Sequence, residues 1–174
     1  MMMDYRGYGL SEGSPTEEGL YNDVEAVVAW LKSRGLSEDR LVLYGLSLGG
    51  APAVELTATP RSLKPRWLIT ENAFASPELL AQDATKLAIP GSFFTNVKAD
   101  NSEKIKGVQQ PYLNMHSMAD AFINFTTHAV EIRENYQGVK LTTVDVPGAD
   151  HDNLPNTMGF TAYLRAIESF LVKN

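Results

Sequence analysis

The chain has 174 residues, 44% hydrophobic and 21% charged, which suits a single folded domain with a core of its own. A net charge of −6 without any Lys/Arg cluster makes nucleic acid and anionic membrane surfaces poor partners. The absence of cysteine excludes disulfides, thiol nucleophiles and thiolate metal sites. It also fits a reducing compartment, so a cytoplasmic setting is the default expectation. No run is long and apolar enough to span a bilayer, and the Met-Met-Met-Asp start resembles neither a signal nor a transit peptide.

In chain order, residues 1–4 read as the end of a short strand, followed by the glycine-punctuated loop YRGYGLSEGSP. Ser14-Pro15-Thr16-Glu17 has the form of a capping box with proline at the first helical position. Leu20, Val24, Val27, Val28 and Leu31 share one helical stripe, and Gly35 is a plausible stop. The apolar run 41–44 predicts a buried strand, and residues 51–56 read as helix. Further strands are expected at 67–70, 112–115 and 139–146. Phe125, Ala129, Ile132 and Tyr136 mark an amphipathic helix, and Phe160, Tyr163, Leu164, Ile167 and Leu171 a closing one. Strands alternating with helices predict an α/β fold: a mostly parallel sheet of about five strands, helices on both faces, in one domain spanning 1–174. Ligands of such sheets gather beyond the carboxyl ends of the strands. Ser47, Glu71, Asp120 and His151 all fall there.

Between the strand at 41–44 and its helix lies Gly-Leu-Ser-Leu-Gly-Gly. A serine hydroxyl is a weak nucleophile that must be held where a base can reach it. A sharp strand-to-helix turn does this but crowds strand against helix. Gly45, Gly49 and Gly50 are expected to remove the side chains that would collide. The turn also frees backbone N–H groups, and that of Leu48 can point at a developing oxyanion. This is the G-x-S-x-G nucleophile elbow in its strand–turn–helix context. The alternative is a glycine-rich turn whose serine merely caps a helix. A phosphate-binding loop is excluded because no lysine follows the glycines.

Three histidines compete for the role of base. His128 sits within the amphipathic helix, where a surface role is expected. His116 ends the fourth expected strand. His151, in VPGADHDN directly after the fifth, can swing over the sheet edge and is preferred, since elbow enzymes run Ser, acid, His along the chain. The acid must precede it and follow a strand. Asp120 in MHSMADAF does so, with Glu71 as its rival. Asp150 and Asp152 flank His151 too closely to reach its ring well. A metal hydrolase using residues 150–152 lacks a second histidine at useful spacing.

With these residues in place, the chain resembles the α/β-hydrolase superfamily in its esterase/lipase and serine-aminopeptidase-like branch. DYRGYGLSEGSP resembles the loop after that fold's fourth strand, and VLYGLSLGG its elbow. PYLNMHSMAD resembles P-x-L-x-x-H-G-x-x-D, and VPGADH resembles G-x-x-H. The resemblance implies Ser47 as nucleophile, Asp120 as acid and His151 as base, with no cofactor and no metal. Ser117 stands where the pattern has glycine, and Pro52 falls early in its helix. The resemblance also implies that three more strands, and the loop carrying a second oxyanion donor, would precede this sequence. A shortened hydrolase of this kind is expected to expose a sheet edge and to pair with itself there. Residues 72–110 correspond to a short cap-like insertion, in which Leu87, Phe93 and Phe94 are candidate acyl-pocket residues. The alternative is that they only bury a small helix. A short cap favours small or medium carboxylic esters. The competing reading is a catalytically weak or inactive binding domain.

Overall fold

The computed structural model describes residues 1–85 and 98–174. Leu87, Phe93 and Phe94 therefore lie outside the described residues. The described strands form one parallel sheet in chain order: β1 (Val42–Leu46), β2 (Trp67–Glu71), β3 (Tyr112–Ser117) and β4 (Leu141–Val146). Parallel neighbours need crossover connections, and the chain supplies helices for them. Helix α1 (Glu17–Ser33) precedes β1, and α2 (Gly50–Ala58) leads from β1 to β2. Between β2 and β3 lie α3 (Pro77–Thr85) and α4 (Asn101–Lys104). A π-helical turn, Phe125–Ala129, runs into α5 (Val130–Asn135) before β4, and α6 (Leu154–Met158) and α7 (Phe160–Lys173) close the chain.

Side chains alternate across the pleat, so each strand feeds two cores. On one face, Leu43, Leu68 and Tyr112 pack with Val28 of α1, Val54 of α2, Ile105 and Ile132 of α5. On the other, Ile69, Leu113, Met115 and Val146 meet Leu154 of α6 and Phe170 of α7. Every residue of β2 and β3 is buried, as a parallel strand covered on both faces should be. In register, Leu46 pairs with Glu71 and Glu71 with Met115, so the strand ends align along one rim of the sheet.

Three expectations are corrected here. Residues 1–4 carry no strand, and the described sheet has four strands rather than five. Met1, Met2 and Met3 instead face β1 across a cleft of about 720 Å³ that also reaches Ser47. Helix α1 starts later than its capping box suggested. Thr16 is the cap, its hydroxyl accepting from the Gly19 N–H at 3.0 Å, which leaves Pro15 outside the helix. His128 is not on the surface. It is fully buried, its Nδ1 accepts from the Ala75 N–H at 3.1 Å, and its Nε2 faces the Asp83 carboxylate at 3.5 Å. Helical periodicity placed it on a helix but could not show that the chain after β2 packs over it. Pro52, by contrast, sits in the first turn of α2, where its missing N–H has no intrahelical acceptor to lose.

Burial pushes the His128 imidazole down to about 4 from its ordinary 6.5, with the Asp83 carboxylate opposing. Between these values the unfolded chain binds a proton that the folded chain refuses. Stability therefore falls as pH drops through that window, by a total on the order of 3 kcal/mol. Urea unfolding at pH 6.5 and pH 4 is expected to show this loss on top of the carboxylate background. His128→Gln, which keeps an acceptor for Ala75, should lose less; equal losses in the two proteins would contradict the assignment.

Candidate active site

The site begins with a collision avoided. Ser47–Gly49 is a single tight turn between β1 and α2, and Ser47 is held at φ +51°, a left-handed conformation costly for a residue with a side chain. A Cβ on Gly45 would lie 2.3 Å from the Gly49 carbonyl oxygen, and one on Gly50 2.6 Å from the Ala73 Cβ. Only bare backbone fits at either position. Gly49 differs from expectation. Its φ is an ordinary −62°, and a Cβ there would meet only the Tyr5 hydroxyl, at 3.5 Å. The crowding falls on the strand-side glycine and on Gly50, where α2 passes the residue after β2's turn. Gly45→Ala and Gly50→Ala should each destabilise by about 1–3 kcal/mol or misfold the turn, as overpacking does. Gly49→Ala should stay within about 0.5 kcal/mol of the parent in the same urea titration.

From that turn the Ser47 hydroxyl reaches His151, with Oγ and Nε2 3.0 Å apart. The opposite ring nitrogen, Nδ1, lies 2.7 Å from Asp120 Oδ2. A carboxylate only accepts, so Nδ1 carries the proton and Nε2 presents its lone pair to the serine. The other Asp120 oxygen accepts from the Phe122 and Ile123 N–H groups at 2.9 and 2.7 Å, which fixes the carboxylate from behind. Asp120 is buried and His151 half-buried, the latter with the Phe122 ring edge-on against it. Leu48, second residue of the elbow turn, carries one of the N–H groups that a helix start leaves without an internal acceptor.

The rival residues are occupied elsewhere. Glu71 is buried and accepts hydrogen bonds from the hydroxyls of Tyr44 and Tyr163, the latter at 2.8 Å. Burial and that carboxylate push Tyr44 upward and Tyr163 up to about 12, so both stay protonated donors. His116 is buried with Nε2 2.9 Å from the Ile123 carbonyl, and burial pushes its imidazole below the ordinary value. It braces the Asp120 turn. Asp150 accepts from the backbone N–H groups of His151 and Ala121, which hold its carboxyl below the usual range, and it does not meet the ring. Asp152 is exposed. Among the described residues no group of three or more His, Asp or Glu is placed to hold a metal.

One residue of the site was not anticipated. Asn72, the residue after β2, is buried at φ +45°. Its amide Nδ2 donates to the His151 carbonyl at 2.7 Å and to the Ser117 hydroxyl at 3.1 Å, while its Oδ1 accepts from the Ser117 N–H at 2.8 Å. Ser117, in place of the pattern's glycine, thus ends β3 and joins the brace that holds the His151 loop. The signal was available: asparagine tolerates the left-handed region, and this one directly follows a strand. Asn72→Ala should lower thermal stability and slow any reaction at Ser47 about tenfold or more. An unchanged rate in a folded variant would show that the His151 loop does not need it.

No family model matches the chain. It is 32% identical over 171 residues to the α/β hydrolase domain-containing protein aho-3 of Caenorhabditis elegans, covering 97% of this chain and 47% of that protein. It is likewise 32% identical to the human α/β hydrolase domain-containing protein 17B, covering 97% of this chain and 54% of that one. The chain therefore spans about half the length of these curated relatives. Among solved structures, an esterase of Pyrococcus furiosus superposes with a TM-score of 0.73 at 18% identity, covering 98% of this chain and 68% of its own. A bromoperoxidase from Bacillus anthracis superposes with a TM-score of 0.70 at 17% identity, covering 97% and 79%.

Proposed function

Because this chain belongs to the α/β-hydrolase superfamily, we propose that it is a serine hydrolase cleaving small or medium carboxylic esters through an acyl-enzyme. The observation that carries this reading is the unbroken hydrogen-bonded path from Asp120 through His151 to the Ser47 hydroxyl. Ser47 Oγ attacks the ester carbonyl carbon while its proton passes to His151 Nε2. The carbonyl electron pair moves onto oxygen, where the Leu48 N–H stabilises it. As the carbonyl re-forms, the C–O bond to the alcohol breaks and the departing oxygen takes the proton from Nε2. Water then attacks the acyl-enzyme, giving a proton to His151 that returns to Ser47 Oγ as the acid leaves. Asp120 keeps Nδ1 protonated and stabilises the transient imidazolium. The esterase structures superposed on the chain support the choice of an ester bond. No step calls on a cofactor.

A fluorophosphonate probe tests the nucleophile without presuming a substrate. Labelling is expected at Ser47 and should vanish in Ser47→Ala together with hydrolysis of p-nitrophenyl acetate. Asp120→Asn should cut turnover by orders of magnitude, on the order of 10⁴ in the best-studied triad. Glu71→Gln should cost far less, because its carboxylate faces two tyrosines and not the imidazole. Failure of Ser47 to label would shift the reading to a hydrolase-like binding domain; the reverse ranking of the two acids would move the acid to β2.

A further inference from the structure

Tyr5 opens the irregular loop that faces the elbow. It lines the cleft beside β1 together with Ser47, Leu48 and Gly49, and its hydroxyl oxygen stands 3.5 Å from where a Cβ on Gly49 would lie. We propose that the Tyr5 hydroxyl donates to the oxyanion of the tetrahedral intermediate, as a second donor beside the Leu48 N–H. The assignment rests on the serine-esterase reading above.

The state of its hydroxyl distinguishes Tyr5 from the other tyrosines. A tyrosine with a buried ring ordinarily finds a partner for its O–H. The hydroxyls of Tyr21, Tyr44, Tyr112, Tyr136 and Tyr163 all bond within the protein, and Tyr8 is exposed. Tyr5 packs against the cluster of Leu20, Ala51 and Phe74, yet its hydroxyl bonds to no described residue. Burial, and then the Asp23 carboxylate, push the phenol above its ordinary value, so the oxygen keeps its proton at neutral pH. A donor is thus left free beside the turn where negative charge would develop.

Other donors on this side are engaged. The backbone N–H groups of Arg6, Gly7 and Tyr8 bond to the Asp23 carboxylate, the Glu12 carbonyl and the Tyr5 carbonyl. The Arg6 guanidinium is held by Asp23 as well. Two further hydroxyls line the cleft. Tyr44 donates to Glu71, and Ser47 is the group that attacks. Beyond the elbow, the Asn72 amide is taken up by the His151 carbonyl and the Ser117 hydroxyl.

The chemistry asks little of the phenol. As Ser47 Oγ bonds to the carbonyl carbon, the C=O electron pair moves onto oxygen. The Tyr5 proton stays on Tyr5 throughout, and only its hydrogen bond strengthens as charge builds. Such a donor favours the transition state over the bound ester. Gly49 suits this arrangement, because a residue without a side chain leaves the space between the turn and the Tyr5 oxygen open.

Tyr5→Phe tests the assignment by removing one oxygen while keeping the ring. Four measurements are made on both proteins: hydrolysis of p-nitrophenyl acetate, fluorophosphonate labelling of Ser47, thermal unfolding, and inhibition by a trifluoromethyl ketone, whose adduct with Ser47 carries an oxyanion. The expected loss is about 10²–10³ in kcat, with KM changed less than about threefold. Affinity for the ketone should fall by a factor similar to that in kcat/KM. Tm should hold, since the lost hydroxyl bonds to no described residue. Labelling should slow but still reach stoichiometry. A kcat within about threefold of the parent, a loss confined to KM, or a loss that comes with a lower Tm overturns the role of Tyr5 and leaves the esterase reading standing. Failure of the unsubstituted protein to label overturns the esterase reading and this one with it.

Discussion

The approach of α2 to the rim of the sheet governs everything else in this molecule. A Cβ at Gly45 would run into the backbone of Gly49 and Gly50, and one at Gly50 into the Ala73 Cβ, so no methyl group fits at either. That contact leaves the chain no relaxed route from β1 into α2, and Ser47 absorbs the turn at positive φ. Asn72 is the other described non-glycine residue with positive φ, and it occupies the equivalent place one strand over. Leu46 pairs with Glu71, so the residues that follow them, Ser47 and Asn72, leave the sheet side by side. One presents a hydroxyl and the other grips the backbone of the loop that brings the imidazole. Each such conformation costs about 1–3 kcal/mol, and the packing beneath offsets it. Ala51, Val54, Leu68 and Ala73 have no measurable exposure, so the elbow rests on a fully buried layer.

Charge at the site is arranged by exclusion as much as by contact. Several carboxylates lie near the rim, yet only Asp120 meets the His151 ring. Glu71 is closed off by two tyrosine hydroxyls, and Asp150 is turned toward backbone N–H groups. A second carboxylate at the imidazole would compete with Asp120 for Nδ1 and turn the ring away from Ser47. The hydrogen bonds that occupy Glu71 and Asp150 therefore leave Asp120 as the one carboxylate, among the described residues, that orients the imidazole.

What the sequence disclosed divides along the range of the interaction. Strand cores such as 41–44 and 67–70 are legible because burial on both faces leaves continuous apolar runs. The elbow is legible because its steric problem and its solution lie within six residues. Ser47, Asp120 and His151 could be named from their places after strands, and the structure puts His151 within hydrogen-bonding distance of each of the other two. Features that depend on what packs from afar were not readable. Nothing within the amphipathic helix says that the residues around Ala75 will cover His128, and nothing local to β2 says that Asn72 will hold a carbonyl 79 positions away. Gly49 looked as constrained as Gly45 because the motif treats them alike, whereas the structure crowds only one of them.

The two walls of the site differ in how they are built. The elbow side is a strand, a helix and a buried core. The opposite wall is the loop from Asp4 to Pro15, irregular and turned at three positive-φ glycines, Gly7, Gly9 and Gly13. Two residues tie it to the fold: Arg6, whose backbone N–H and guanidinium both reach Asp23 on α1, and Tyr5, which packs against the buried cluster of Leu20, Ala51 and Phe74. The Arg6–Asp23 pair is partly open to water, where ionic contacts are weakened by screening. With Ser47 as the proposed nucleophile, a turn held by strand and helix facing an irregular loop meets two requirements at once. On the reading proposed above, the reacting atoms need positions held to a fraction of an ångström, whereas the facing wall must let substrate enter and products leave. Tyr5 and Tyr8 stand on the irregular loop and Ser47 on the sheet rim, so the Ser47 hydroxyl takes its position from the strand and helix and not from the facing wall.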